Sequence, residues 1–239
     1  GQTSHTAIMA KSLELPAVVG VKNIIEKIKK KQKIIIDASS GKITVDPKDK
    51  QINEYKLKKE KLKKLKNKLK KYKSKETITK DGKRIELASN IGTFKDVEGC
   101  IKYGSEGIGL FRTEFLYMNS SDFPTEDEQF DIYKKVAVKM ENKPIVIRTM
   151  DIGGDKELPY FDFPEEMNPF LGYRAIRMCL DKIDLFKTQL RAILRASTYG
   201  NIKIMFPMIS NLEELKKAKE IVENVKKELI KENIEFDDE

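Results

Sequence analysis

Histidine is nearly absent from this sequence: among 239 residues only His5 carries an imidazole. Cysteine is almost as scarce. Cys100 and Cys179 stand far apart in helix-like contexts, which reads as two buried, reduced thiols of a cytoplasmic protein and not as a disulfide framework. No run of 18 apolar residues occurs, so no membrane-spanning helix and no membrane partner are expected. Neither a secretory signal nor an initiator methionine opens the chain, so it is expected to begin inside a longer protein or after a removed segment. What remains is ample for folding: 39% of the residues are apolar, and the length suits one large domain or two smaller ones.

The net charge of +9 resembles a nucleic-acid signature until it is located. Residues 46–75 hold 14 lysines against four acids, a net of +10, which leaves the rest of the chain at −1. Arginine and interleaved aromatics, which nucleic-acid arms use, are scarce in that stretch. Tyr55, Leu62, Leu65, Leu69 and Tyr72 instead recur at steps of seven, three, four and three, a narrow heptad seam among lysines. The stretch is predicted to be a solvated helix or short helical hairpin connecting two domains, with no nucleic-acid partner.

Upstream of the connector, residues 1–45 read as a helix over 5–13, a strand at Ala17–Val19, a helix over Asn23–Lys30 and a hairpin. The hairpin pairs Lys33–Asp37 with Lys42–Val45 across Ser39-Ser40-Gly41. This is the tail of a small α/β domain whose other strands are expected before Gly1. Residues 46–84 form the linker, and from residue 85 the pattern turns regular. Strands are predicted at Ile85–Ile91, Gly107–Phe111, Pro144–Ile147 and Ile202–Phe206. Helical periodicity follows each: through Val97, Cys100 and Ile101; from a Thr125–Glu128 capping box to Glu141; near 170–180 and 184–198; and from an Asn211 cap to about residue 232. Four alternating strand–helix units mean a parallel sheet. They span about 150 residues, where a complete (β/α)8 barrel needs roughly 250. Region 85–239 is therefore expected to be the N-terminal half of such a barrel, with a complete four-stranded doubly wound sheet as the alternative.

In parallel α/β folds, ligands bind beyond the carboxyl ends of the strands. Two predicted strands end in the same pair, Arg112-Thr113 and Arg148-Thr149, directly after buried apolar residues. A guanidinium there is costly without an anion, and its planar fork fits phosphate or carboxylate. One such arginine alone reads as a structural ion pair; two on successive strands point to an oxyanion site in one mouth. The following loop, Asp151-Ile152-Gly153-Gly154-Asp155-Lys156, adds paired glycines that admit close backbone approach and a point charge in Lys156. Asp151, Lys156 and Arg174, the last just beyond Asn168-Pro169, are candidates for supporting that mouth, whereas Arg177 fits a solvated helix face equally well. His5 precedes an apolar-periodic stretch (Ile8, Met9, Leu13), which places its imidazole in the first turn of a helix. Unpaired N–H groups and the helix dipole favour an anion there, and a nucleophilic nitrogen beside them can carry a phosphoryl group covalently. Taken alone, a single histidine reads first as a cap or surface residue.

These residues carry a resemblance. Gly1-Gln2-Thr3-Ser4-His5-Thr6-Ala7-Ile8-Met9-Ala10, followed by Leu15-Pro16-Ala17-Val18-Val19-Gly20, resembles the phosphohistidine motif of the enzyme I family of the bacterial phosphoenolpyruvate-dependent sugar phosphotransferase system. Gly107-Ile108-Gly109-Leu110-Phe111-Arg112-Thr113-Glu114-Phe115-Leu116 and Val146-Ile147-Arg148-Thr149-Met150-Asp151 through Lys156 are similar to its phosphoenolpyruvate-binding barrel. Asn168 to Arg174 and Ile204-Met205-Phe206-Pro207-Met208 continue the likeness, which covers essentially the whole chain and is weakest in the lysine-rich connector.

The resemblance implies a swivelling phosphohistidine domain joined to the barrel. It implies that phosphoenolpyruvate phosphorylates His5, which passes the group to the histidine phosphocarrier protein, while Arg112 and Arg148 hold the substrate phosphate. The attacking imidazole must be neutral, so transfer should fail below its reference pKa of about 6.5. A cytoplasmic setting, Mg2+ as cofactor and a homodimer of the full-length protein are implied as well. In the family the two acidic Mg2+ ligands and the cysteine that protonates the enolate lie on later strands, so no metal ligand is expected within this chain, and neither Cys100 nor Cys179 matches that cysteine. The chain alone is expected to turn over weakly or not at all. Two rival readings stand beside this one: a pyruvate, phosphate dikinase or phosphoenolpyruvate synthase, which would need an upstream nucleotide-binding domain, and a non-catalytic basic interaction module.

Overall fold

The computed structural model describes residue 10, residues 15–153 and residues 158–238. His5, Lys156 and, but for Ala10, the helix predicted over 5–13 lie outside the described residues. The chain divides into two compact units, Gly1–Tyr72 and Lys73–Glu239.

In the first unit a single helical turn, α1 (Ile24–Lys27), precedes an antiparallel hairpin of β1 (Ile34–Asp37) and β2 (Lys42–Val45). The register runs from Ile34 opposite Val45 to Asp37 opposite Lys42, as the turn sequence predicts. Two expectations fail here. Ala17–Val19 forms no strand, because three apolar residues need a neighbouring strand to pair their backbone groups and none is described beside them. The helix predicted to Lys30 stops at Lys27, where Ile28 turns extended (φ −114°, ψ 123°). A helix this short has little packing to offset its nucleation, and the lysines that follow add like-charge repulsion.

The helix α2 (Asp49–Lys70) is one continuous element, not a hairpin, and none of its residues is buried. Lysine, leucine and glutamate supply good intrinsic propensity, which carries it without a core. Leu62, Leu65 and Leu69 of the heptad seam are all more than half exposed. Lys58 ties α2 to the hairpin: its Nζ donates to Asp37 Oδ2 at 2.6 Å and to Ser39 Oγ at 3.5 Å. Asp37 also accepts from the Ser39 backbone N–H at 3.1 Å, closing the turn. The Lys58 ammonium, with the Ser39 hydroxyl, holds the Asp37 carboxyl well below the usual carboxylate range.

The second unit is a four-stranded parallel sheet of β3 (Ala88–Ile91), β4 (Gly107–Arg112), β5 (Ile145–Arg148) and β6 (Ile202–Met205). The strands lie side by side in chain order. A doubly wound sheet would reverse that order at a switch point, so that alternative does not describe these strands. The crossovers are α3 (Asp96–Tyr103), α5 (Glu126–Met140), and α6 (Ile176–Asp181) with α7 (Ile183–Ser197). A short α4 (Glu114–Met118) follows β4 directly, and α8 (Leu212–Lys231) follows β6. The caps are those the spacing predicts. Thr125 and Glu128 form a reciprocal capping box, and Asn211 Oδ1 accepts from Glu214 N at 2.9 Å.

Alternation along the strands decides where function sits. Ile145 and Ile147 face the helices and are buried, as are Ile108 and Phe111, whose odd spacing is taken up by a register irregularity between them, and Phe111 meets Tyr133 of α5 edge-to-face at 5.9 Å. The opposite face carries Leu110, Val146, Lys203 and Met205, all partly or fully exposed. With a period of two, the residue after Phe111 and the residue after Ile147 must both project on that open face.

Cys100 in α3 and Cys179 in α6 are free and buried. Burial, reinforced by the nearby Asp151 carboxylate, pushes the Cys179 thiol up to about 12. Since the thiolate is the reactive form, a disulfide reagent at pH 8 should find no reactive thiol in the native chain and two after unfolding in guanidinium. Rapid labelling of the native chain would show that these helices open locally.

Candidate active site

Arg112 and Arg148 are the last residues of β4 and β5, and the two strands pair them directly opposite one another. Adjacent strands lie about 4.8 Å apart, and like charges placed opposite each other oppose pairing. The sequence thus builds a local electrostatic conflict that a bound anion would relieve. Arg112 is exposed and, among the described residues, its side chain makes no ion pair or hydrogen bond.

Arg148 is held by carboxylates. Its Nη2 donates to Glu114 Oε1, and its Nη1 lies 3.1 Å from Asp151 Oδ2. The other Asp151 oxygen, Oδ1, accepts from Arg174 Nη2 at 2.7 Å. Asp151 therefore bridges two guanidinium groups, and side-chain exposures of 4% for Glu114, 7% for Asp151 and 8% for Arg174 make this a nearly dry network. Dry ion pairs are strong only when complete, and removing one partner of a buried pair typically costs about 3–5 kcal/mol. Asp151→Ala should destabilise the second unit by about that amount in denaturant titration, with Asp151→Asn intermediate. A loss below about 1 kcal/mol would mean that water replaces the carboxylate at no great cost.

Arg174 is placed by backbone devices as well as by charge. Gly153 has φ +112°, and a Cβ there would meet Arg174 Cβ at 2.6 Å and the Tyr173 carbonyl at 2.9 Å, so only glycine permits this approach. Ala175 is wholly buried with φ +51° and ψ −126°, a strained conformation for a residue with a Cβ, pinned by a bond from its N–H to the Ile152 carbonyl at 3.1 Å. Arg177, by contrast, turns to the carbonyls of Leu171 and Gly172 and toward Glu214, where it ties a short 3₁₀ turn (Pro169–Leu171) to α8.

The structure thus brings Arg112, Arg148, Asp151 and Arg174 to one end of the sheet. Three guanidinium groups against the carboxylates of Glu114 and Asp151 leave a positive surplus there, suited to an anion. Two further participants, Glu114 and Gln189, are not among the candidates that the sequence marks for this site. Glu114 directly follows Arg112-Thr113, and its role emerges only when β5 lies beside β4. Gln189 occupies the apolar stripe of α7 with Phe186, Leu190 and Ile193, yet is 1% exposed. A lone amide on a buried helical face was the signal available for it.

Among the described residues no group of three or more His, Cys, Asp or Glu side chains is arranged to hold a metal ion. Glu114 and Asp151 both serve arginines, so this donor set does not fit Mg2+.

Comparison with known proteins gives the chain a family. The family model for "PEP-utilising enzyme, PEP-binding domain" matches residues 66–239, and that for "PEP-utilising enzyme, mobile domain" matches residues 1–41. A protein of Bacillus subtilis (strain 168) named phosphoenolpyruvate-protein phosphotransferase is 53% identical over 231 residues, 97% of this chain and 40% of its own length. Proteins of the same name from Priestia megaterium and Staphylococcus carnosus (strain TM300) are 51% identical over 98% of the chain and 52% identical over 100% of it, covering 41% and 42% of their own lengths. The chain thus spans about 40% of the length of the curated relatives it matches. By these matches it belongs to the phosphoenolpyruvate-utilising enzymes and is similar, over nearly its whole length, to their phosphoenolpyruvate-protein phosphotransferases.

Proposed function

We propose that this chain is the phosphoryl-transferring section of a phosphoenolpyruvate-protein phosphotransferase. A lone pair on the neutral His5 imidazole forms an N–P bond, the P–O bond to the enol oxygen breaks, and its electrons leave as enolpyruvate, which becomes pyruvate on protonation at carbon. The phosphoryl group then passes to a histidine nitrogen of the phosphocarrier protein, the first step of bacterial sugar uptake by this route. The observation that carries this reading is the pairing of Arg112 with Arg148 at two parallel strand ends. A phosphoenolpyruvate phosphate between them resolves their repulsion, and charge neutralisation with positioning is what phosphoryl transfer chiefly needs. Asp151 and Arg174 stiffen that cradle, and Lys156, five residues after Asp151 in sequence, would add a further positive charge.

The chain-order sheet, with one face on helices and the other open, supports reading residues 85–239 as the first four units of a (β/α)8 barrel. Residues 1–45 would belong to the swivelling phosphohistidine domain and 46–84 to the linker. The complete protein would be a cytoplasmic homodimer using Mg2+ bound outside this chain.

The test uses this sequence completed with the flanking segments of the Bacillus subtilis relative, incubated with Mg2+ and phosphoenolpyruvate carrying labelled phosphate. An acid-labile, base-stable label that discharges onto the phosphocarrier is the expected result; no label, or an acid-stable one, overturns the proposal.

A further inference from the structure

We infer that Gln189 is a positioning residue for the two strand-end arginines, acting through a buried amide that ties β4 and β5 together beneath the site; the inference rests on the function proposed above. Gln189 Oε1 accepts from the Met150 backbone N–H at 2.8 Å, two residues beyond Arg148. Its Nε2 donates to Thr113 Oγ1, next to Arg112, and to the Tyr133 hydroxyl, both at 3.2 Å. Thr113 Oγ1 in turn donates to the Arg148 carbonyl at 2.9 Å. One planar group of fixed dimensions therefore sets the spacing between the backbone that follows Arg112 and the backbone that carries Arg148.

The amide has a single workable orientation. The Tyr133 hydroxyl donates to Gln129 Oε1 at 3.1 Å, and Thr113 donates to Arg148 O, so both hydroxyls can only accept from Gln189. Gln129 completes the chain, accepting from Tyr117 at 3.0 Å and donating to the Pro124 carbonyl at 2.9 Å. Both Gln189 hydrogens and its oxygen are engaged in a site that excludes water. Methionine would fill similar space with less desolvation, so what the amide contributes is the bonds themselves. Without them the Met150 N–H loses its partner, and the strand ends must shift to find others. Displacements of about 1 Å at a phosphate-binding pair can cost up to about 100-fold in rate.

The experiment compares Gln189→Met, Thr113→Val and Thr113→Ser in the completed protein. Gln189→Met and Thr113→Val should each raise KM for phosphoenolpyruvate about tenfold, and Thr113→Ser, which keeps the hydroxyl, should stay within about twofold of the parent. A lower melting temperature with unchanged KM would reduce Gln189 to a stabiliser of the fold and overturn the inference, as would equal behaviour of the two Thr113 variants. Failure of the parent to accept label from phosphoenolpyruvate would instead overturn the function on which the inference rests.

Discussion

Replacing His5 with glutamine should leave the completed protein with no acid-labile phosphoryl group on this sequence after exposure to phosphoenolpyruvate. The sequence holds one histidine, so the substitution removes every phosphohistidine it could form. Glutamine matches the imidazole in reach and in hydrogen bonding but has no nucleophilic nitrogen, because the amide lone pair is delocalised into its carbonyl. The parent's labelling rate should also fall below about pH 6.5, the reference pKa of imidazole, since the imidazolium has no lone pair to offer. Peptide mapping of the labelled protein is the measurement. Label on the His5→Gln protein at the parent level would move the carrier to another residue and end the assignment.

Arg148→Ala should lower phosphoenolpyruvate-dependent labelling about a thousandfold, the scale on which arginines act at a transferring phosphoryl group. Two effects would combine: loss of a proposed phosphate ligand, and exposure of Glu114 and Asp151 to each other without the guanidinium that separates them. Arg148→Lys separates the two. It keeps a positive charge near both carboxylates but loses the planar fork, so its thermal stability should stay near the parent's while labelling still falls about 100-fold. Reverse labelling of His5 by phosphorylated phosphocarrier, which makes no demand on the strand ends, should persist in both variants. Equal loss in both directions would show that Arg148 acts through folding alone.

Legibility in the sequence followed the range of the interactions concerned. The capping box at Thr125, the Asn211 cap and the β1–β2 turn are written within four residues, and all three formed as expected. The four parallel strands were legible because each lies between clear helical periods. Ala17–Val19 was misread because a strand needs a neighbour that no local pattern reveals. The connector's heptad seam specifies a helix, but its spacing does not specify whether that helix bends into a hairpin; nothing breaks it between Asp49 and Lys70.

At the site the same division holds. Motif marked Arg112 and Arg148, since a charged residue ending an apolar strand stands out along the chain, and marked Asp151 and Arg174 by their place in the glycine-containing loop and beyond Asn168-Pro169. Tertiary structure decided how they combine. It set Arg112 and Arg148 in register across two strands, 36 residues apart in sequence, and made Asp151 the bridge between Arg148 and Arg174. It also brought Glu114 and Gln189 into the network. By itself the sequence determined what was chemically available, a lone imidazole and two strand-end arginines. Only the sheet and the helix packed against it, by fixing distances within a core that excludes water, decided which of those charges meet.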